Sequence, residues 1–388
     1  MTPALDNSPQ MALGGIKVLD VSTTYPGPYC SLLLGDMGAE VVMVEAPGRG
    51  DPMRRISEAI FKSVNRNKRS IVLNLKSDAG RTAFQDLARW ADVVIEGFRP
   101  GVAARLGIDF ASLSEINPAL IYCSLTGYGQ DGPYRSWVGH DLNYVGVSGA
   151  ASVGGDPDGP DDWSTTVPVA DIAGGLFAAN AILSALIWRG SSGRGQFLDV
   201  SLTDAMVAMS SLRIVDYFAR GRPSKAELIA KGGMGIFYAR DGKGLTVAAL
   251  EDRFFRRLCE GIGRPALADH PSYADRPGRN RHWKELNASI AEALLARDRD
   301  DWIAALAEAD IPCAPLNQIA DLPDDPQLRT RSMLHQNADQ SVDVAFPVKL
   351  TETPWAKRRD APRLGQHTED VMRAIGYDDD RIAELLKT

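Results

Sequence analysis

The sequence predicts an α/β protein whose parallel sheet is covered by helices on both faces. From Gly15 onwards, short β-branched segments alternate with longer helical segments, a pattern that is typical of parallel sheets. The chain has 388 residues, which allows a substantial core and favours two domains over one. A change in composition near residue 225 marks the expected border between them.

The first part of the chain carries the segments expected to form this sheet. Strands are predicted over 16–21, 40–44, 70–75, 93–96, 119–126 and 196–200. Helices are predicted over 29–37, 79–90, 170–188 and 203–218, the third ending in the glycine-rich stretch 189–195. The turn at 22–28 lacks the Gly-x-Gly-x-x-Gly fingerprint, so a dinucleotide is not the expected ligand.

A smaller α+β domain is predicted after a polar linker that is rich in glycine and proline, residues 220–233. A hairpin follows, with strands over 236–239 and 245–249, and then helical segments over 252–262, 283–297 and 300–309. We assign 1–224 to the N-terminal part of the large domain, 225–335 to the small domain, and 336–388 to a C-terminal segment that returns to the large domain.

Composition excludes several classes of protein. A formal net charge of −7 argues against a nucleic-acid partner, since phosphate neutralisation needs a basic face. The four cysteines show no Cys-x-x-Cys spacing and no histidine nearby, so we expect reduced thiols and no metal site. The N-terminus does not resemble a signal peptide, and no run of roughly eighteen apolar residues is present. The expectation is a cytoplasmic enzyme without a membrane span.

A histidine and an aspartate form the leading catalytic pair. His140 is one of five histidines and lies between glycine-rich segments, in Gly-His-Asp-Leu-Asn-Tyr. An unperturbed imidazole titrates close to neutral pH, which suits proton exchange, although a lone histidine is more often structural. Asp171 precedes Ile-Ala-Gly-Gly at the start of an apolar helix. An N-cap role is the plain interpretation, while apolar neighbours would also raise its pKa.

Two further groups of residues are candidates for weaker reasons. Glu251 follows the strand at 245–249 and could be merely solvated. Arg99 and Arg105 come directly after the strand at 93–96, at the sheet edge where open α/β proteins bind ligands. Guanidinium groups there would suit phosphate oxygens.

These residues and several motifs together resemble the class III CoA-transferase (CaiB/BaiF) superfamily, most closely its α-methylacyl-CoA racemase branch. The matching segments are 14–20, 26–28, 38–42, 65–70, 97–101, 126–133, 193–196 and 364–369. The resemblance covers almost the whole chain. It implies a Rossmann-like large domain, a smaller central domain and an interlocked homodimer.

The resemblance also implies roles for individual residues. Asp171 matches the catalytic aspartate of both branches, and His140 matches the second base of the racemases, with Glu251 similar to the glutamate that supports it. Coenzyme A would be held by Leu73, Asn74, Leu75, Lys76, Gly97, Phe98, Arg99, Arg105, Gly139, Asp141 and Tyr144. One departure favours the transferases, because racemases usually carry arginine where this chain has Ala46.

The leading hypothesis is exchange of the α-proton of a 2-methylacyl-CoA thioester, with His140 and Asp171 as bases on opposite faces. The substrate is the CoA thioester itself, and no further cofactor is expected. The main alternative is a CoA-transferase in which Asp171 is the nucleophile and His140 a bystander. A non-catalytic CoA-thioester binder and a dehydrogenase are the remaining alternatives.

Overall fold

The computed structural model describes residues 11–163, 166–337 and 341–387. Its strands in chain order are β1 (Lys17–Asp20), β2 (Glu40–Glu45), β3 (Lys68–Val72), β4 (Val93–Glu96), β5 (Ile121–Thr126), β6 (Gln196–Ser201), β7 (Met234–Tyr238), β8 (Gly244–Ala248), β9 (Cys313–Pro315), β10 (Leu334–Gln336) and β11 (Val342–Val344).

The α-helices up to the border of the central region are α1 (Pro26–Asp36), α2 (Met53–Ile56), α3 (Glu58–Asn65), α4 (Asp78–Trp90), α5 (Val102–Leu106), α6 (Phe110–Ile116), α7 (Asp141–Val147), α8 (Val169–Ser192) and α9 (Leu202–Met209). The later ones are α10 (Ser211–Ala219), α11 (Lys225–Ile229), α12 (Asp252–Gly261), α13 (Arg276–Arg281), α14 (Trp283–Leu294), α15 (Arg299–Glu308), α16 (Pro326–Arg331), α17 (Thr368–Ala374) and α18 (Asp379–Lys387).

The chain divides into two compact units. Of the described residues, the larger comprises 11–150, 166–211, 333–337 and 341–387, and the smaller comprises 151–163 and 212–332. This division differs from the predicted border at 224/225, because residues 212–224 and 151–163 belong to the smaller unit. Neither segment has the alternating apolar pattern that marks a sheet element, so the sequence alone does not assign them.

The larger unit is built on a six-stranded parallel sheet with the order β3-β2-β1-β4-β5-β6. This is the doubly wound order, in which the direction of winding reverses between β1 and β4. Val18, Leu19, Val93, Val94 and Ile95 have no exposed surface, as expected for a sheet covered on both faces. The predicted α/β fold with a parallel sheet is confirmed.

The C-terminal segment closes the edge of this sheet at β3. Ser70 and Val72 donate their N–H groups to the His367 ring at 3.2 Å and the Thr368 hydroxyl at 3.0 Å. In return the Ser70 carbonyl accepts the His367 N–H at 2.9 Å. An unpaired edge strand invites association with other chains, so these bonds both complete and protect the sheet.

Helix α8 is the longest helix among the described residues. By length and composition alone it could cross a bilayer, but core helices of folded domains have the same character. It packs against α1, α9, β5 and β6 and buries Ala170, Ala173, Ala178 and Ile182. The buried side of the helix therefore packs within the larger unit, while Leu176, Phe177, Ile187 and Trp188 are exposed.

The smaller unit contains the antiparallel sheet β7-β8-β9. The predicted hairpin is therefore present, with an additional strand, β9, that the sequence reading did not identify. Its core includes Phe237, Leu245, Phe255 and Trp302, and the Trp302 indole donates to the Leu294 carbonyl at 2.7 Å. The four cysteines form no disulfide, and Cys30, Cys123 and Cys259 are buried.

Candidate active site

A cavity of about 230 Å³ opens in the larger unit, where the loops that follow β1, β4 and β5 come together. Ligands of open α/β sheets bind at the carboxyl ends of the strands, next to the reversal of strand order. The described lining residues include Ser22, Thr23, Thr24, Pro26, Gly27, Gly97, Phe98, Arg99, Leu125, Thr126, Gly127, Tyr128, Arg135, Trp137, Val138, Gly139, His140, Tyr144, Asp171 and Leu202.

A network of buried polar side chains fixes the position of the loop after β1. The Asp20 carboxylate accepts the Ser22 N–H at 3.0 Å and the hydroxyls of Ser22 and Ser31. Lys68, which has no exposed surface, lies 3.5 Å from the same carboxylate and donates to the Pro28 carbonyl at 2.9 Å. A buried charge is tolerated only when it is paired and hydrogen-bonded, and here that pairing fixes the cavity wall.

The loop after β4 is positioned by Glu96, the last residue of that strand. Its carboxylate accepts the Phe98 N–H at 2.6 Å. Burial raises the pKa of Glu96, partly offset by hydrogen bonds from Ser124 and Phe98. Gly97, Phe98 and Arg99 are thereby presented to the cavity, with the Arg99 side chain exposed.

His140 occupies the N-cap of α7. Its backbone N–H donates to the Asn143 side chain at 2.9 Å, and His140 is exposed at the cavity wall. The preceding Gly139 is required for close packing, because a Cβ there would lie 2.7 Å from the Tyr144 ring. The Tyr144 hydroxyl donates to the Gly139 carbonyl at 2.6 Å. This segment therefore has one well-defined course.

Asp171 lies in the first turn of α8, whose N-cap is Pro168. The expected N-cap role is thus wrong, because the helix begins two residues earlier than Asp171. The N–H groups of Ala170 and Asp171 are instead accepted by the Asp141 carboxylate, at 2.7 and 3.1 Å. Asp141 joins the starts of α7 and α8, and this brings His140 and Asp171 to the same cavity.

The Asp171 carboxyl group has an unusually high proton affinity. Burial, and secondly the nearby Asp141 carboxylate, raises its pKa to about 7. No cation within the described part of the chain forms an ion pair with it. A half-buried, unpaired carboxyl group in a cleft is a candidate for catalysis.

The aromatic side chains of Tyr128, Trp137 and Tyr144 line one wall of the cavity, and Tyr134 packs against this group from outside the lining. The Tyr134 and Trp137 rings stack with their centroids 3.9 Å apart, and Tyr128 meets Tyr144 edge to face at 5.2 Å. Burial and then the Asp171 charge raise the pKa of Tyr144 to about 12, so its hydroxyl stays protonated. This wall is suited to the apolar part of a substrate.

The structure brings together seven of the predicted site residues at this cavity: Gly97, Phe98, Arg99, Gly139, His140, Tyr144 and Asp171. Asp141 lies behind them as a hydrogen-bond acceptor. Leu73, Asn74, Leu75, Lys76 and Arg105 are not among the described lining residues, and Leu73 is buried. Glu251 lies at the N-cap of α12 in the smaller unit. The roles given to all of these residues stay predictions.

Several lining residues were not identified from the sequence. Arg135, Trp137 and the loop from Ser22 to Gly27 all contribute to the cavity. The loop could have been found from its position directly after a parallel strand. No comparable signal marks Arg135 or Trp137, which lie in an irregular segment. Among the described residues, no group of histidine, cysteine, aspartate and glutamate side chains is arranged to hold a metal ion.

The chain matches a known protein family over most of its length. Residues 13–368 match the model of CoA-transferase family III. The chain belongs to CoA-transferase family III. The expected family is therefore confirmed, while assignment to the racemase branch stays a prediction.

Curated relatives of this family III chain are named as transferases. Succinate–glutarate CoA-transferase from Agrobacterium fabrum is 35% identical over 383 residues, covering 94% of this chain and 95% of the relative. Human succinyl-CoA:glutarate CoA-transferase is 31% identical, with 99% and 91% covered. A CAIB/BAIF family protein from Brucella suis has a solved structure with a TM-score of 0.83 and 31% identity, covering 94% of this chain and 99% of that one.

Proposed function

We propose that this protein transfers CoA from an acyl-CoA thioester to a carboxylate, with Asp171 as the nucleophile. The observation that carries the proposal is an unpaired carboxyl group on the wall of a cavity, with its pKa raised to about 7. The names of the curated relatives support the same reaction. This replaces racemisation as the leading hypothesis.

The chemistry requires four exchanges at carbonyl carbons. The Asp171 carboxylate attacks the thioester carbonyl, which forms a mixed anhydride and releases CoA thiolate. The thiolate attacks the aspartyl carbonyl of the anhydride, which forms an aspartyl-CoA thioester and releases the first acid. The acceptor carboxylate then attacks this thioester, which forms a second anhydride and frees the thiolate. Attack of the thiolate on the acceptor carbonyl gives the new thioester and restores Asp171.

The surroundings of Asp171 suit these steps. Apolar burial makes the carboxylate a stronger nucleophile because it is less stabilised by water. Arg99 and Arg135 are the cationic lining residues described at the cavity, and they could bind the charged parts of an acyl-CoA or a carboxylate acceptor. Relatives act on succinate, glutarate and malate by their names, so a short dicarboxylate is the first substrate to test.

The decisive experiment measures CoA exchange between succinyl-CoA and glutarate. Asp171→Asn is expected to lower the rate by at least about a thousandfold. Asp204→Asn is the matched control, because Asp204 also lies in the first turn of a helix but is exposed and outside the cavity. Hydroxylamine added during turnover is expected to modify Asp171. Full exchange by the Asp171→Asn protein would rule out the nucleophile.

Racemisation of a 2-methylacyl-CoA is the second candidate, and one observation favours it. His140 and Asp171 line the same cavity, as two bases exchanging one proton would require. In deuterium oxide a racemase would introduce label at C2 of an (R)-2-methylacyl-CoA, and His140→Ala would abolish that exchange. A transferase would retain CoA exchange in the same variant, so one variant separates the two reactions.

A further inference from the structure

The smaller unit contains a second cavity, of about 790 Å³, which the proposed reaction does not use. Basic side chains from four segments line it: Arg213 from α10 and Arg220 directly after that helix, Lys231 from the loop before β7, Arg276 and Arg281 from α13, and Lys284 from α14. None of its lining residues lines the candidate active site.

Two of these cations already have acidic partners. Arg220 lies 3.3 Å from Asp216, and Lys284 lies 2.5 Å from Asp158. Lys231, Arg213, Arg276 and Arg281 form no ion pair with any residue in the described ranges. Two further lining carboxylates, those of Glu227 and Glu285, form no ion pair within the described ranges, and Glu227 accepts from the neutral Ser224. Unpaired cations therefore outnumber unpaired carboxylates.

The backbone that carries Lys231 is rigidly held. Asn287 donates to the Lys231 carbonyl at 3.0 Å and accepts the Gly233 N–H at 2.9 Å. Asn280 accepts the Gly232 N–H at 3.2 Å. A Cβ at Gly232 would lie 2.2 Å from the Arg279 carbonyl oxygen, so only glycine allows this close approach. Lys231 thus extends from a loop whose course does not depend on a ligand.

Helix α13 is anchored equally firmly. Arg279 is 1% exposed and donates to the Leu250 carbonyl and the Asp252 carboxylate, both at 2.8 Å. Its other terminal nitrogen donates to the Tyr273 carbonyl at 3.3 Å. Arg276 and Arg281, at the two ends of this short helix, are consequently carried on a fixed support.

The cations of this cavity repel one another. Burial, followed by the charges of Arg213, Arg276 and Arg220, lowers the pKa of Lys231. Such an arrangement is unfavourable without a counter-charge, and an anion with several oxygens would relieve it. Because the loop and α13 are already ordered, binding would not incur the entropy cost of ordering them.

We propose that this cavity binds a phosphate-bearing small molecule of nucleotide size. Guanidinium groups match the geometry of phosphate oxygens. The volume of about 790 Å³ lies within the range of roughly 300–1,000 Å³ found for small-molecule sites. Trp283, Pro277, Ala226 and Ala230 give the cavity an apolar side, which inorganic phosphate alone would leave unused.

Isothermal titration of the full-length protein with pyrophosphate and with ATP tests the site. We expect both to bind and adenosine not to bind. Lys231→Met and Arg276→Gln are each expected to weaken binding about tenfold or more. The control Arg331→Gln, an exposed arginine of the same unit outside the cavity, is expected to bind as the unchanged protein does.

Three results would overturn the proposal. The first is that neither pyrophosphate nor ATP binds. The second is that Arg99→Gln weakens binding of these ligands while Lys231→Met does not, which would assign the anion to the active site. The third is equal binding of succinate and pyrophosphate, which would contradict the choice of phosphate. Arg213→Gln, on the surface of α10, replaces either variant that does not fold, as judged by circular dichroism.

Discussion

The Asp171 carboxyl group owes its high proton affinity to two neighbours of different kinds. Apolar surroundings disfavour its charged form, and the Asp141 carboxylate adds like-charge repulsion. Asp141 also accepts the N–H groups of Ala170 and Asp171. Asp141 therefore fixes the position of the proposed nucleophile and, after burial, contributes to its raised pKa.

The rate of CoA transfer should depend on pH through this group. Asp171 must be ionised to act as a nucleophile, and its pKa is raised to about 7. We therefore expect kcat/KM to rise with pH through about 7 and to level off above it. Measurement of succinyl-CoA consumption across this range gives the midpoint.

The Asp141→Asn variant tests whether ionisation of Asp171 sets the midpoint of this pH dependence. Asparagine keeps an oxygen acceptor for the two N–H groups but removes the charge, so the pKa of Asp171 falls and the midpoint moves to lower pH. Asp204→Asn is the matched control and should leave the midpoint in place. An unchanged midpoint in Asp141→Asn would show that another group titrates.

At the residue scale, the sequence predicts the residues that could carry the reaction better than it predicts the residues that shape the cavity. His140, Asp171 and Gly97–Arg99 could be selected because their motifs or their places after strands are visible. Arg135 and Trp137 could not, because they reach the cavity through an irregular segment with no periodic pattern. The position of Asp171 within α8 was also hidden, since Pro168 and Asp171 both suit a helix start.

At the element scale, α8 comes close to α1 because it carries Gly175 one turn after Asp171. A Cβ at Gly175 would lie 2.9 Å from both the Pro26 carbonyl oxygen and the Tyr29 ring. Pro26 begins α1 and lines the cavity. The distance between these two helices therefore helps to place the β1 loop near Asp171.

Gly175→Ala should disturb that packing. The two helices would have to separate, and we expect a loss of about 1–3 kcal/mol in the free energy of unfolding, with slower CoA transfer. Gly190→Ala on the same helix is the control, because nothing lies within 4 Å of its Cβ position. That variant should be unchanged or up to about 1 kcal/mol more stable. Urea unfolding measures both, and equal stability of the two variants would contradict the packing argument.

The predicted and observed bounds of several elements differ, because a buried charge pair, a break between two helices or a helix cap determines them. Strand β3 begins at Lys68 rather than at residue 70, because Asp20 and Asn65 give the buried ammonium its partners. The segment 203–218 forms two helices that separate at Ser210. The linker contains α11, whose N-cap Ser224 is paired with Glu227. Such tertiary and capping contacts do not appear in apolar periodicity.

At the scale of the whole molecule, the larger unit is made of distant parts of the chain. Residues 358–368 bond to Asn67, Ser70 and Val72 at the edge strand. The interlocked homodimer and the cytoplasmic location concern partners or surroundings outside this single chain. They stay predictions, as does the role of Glu251.

The bond from Ser70 to His367 should make stability depend on pH. Burial, followed by the charges of Arg69 and Arg359, lowers the pKa of His367, so its contribution is complete above the ordinary value and is lost as pH falls through the lowered pKa. His367→Asn keeps an acceptor that does not titrate. Urea unfolding between about pH 5 and 7 should show a weaker pH dependence in this variant than in the control His335→Asn.

The sealing of β3 by residues 365–368 has a consequence for biosynthesis. The strand emerges from the ribosome long before its seal, because the bonded residues are 296 and 297 positions apart. The sheet therefore stays open on this side until residue 368 has been made, and premature termination before residue 365 would release a chain with that side bare. Chaperone dependence and aggregation of such truncated products should exceed those of chains shortened only within α18.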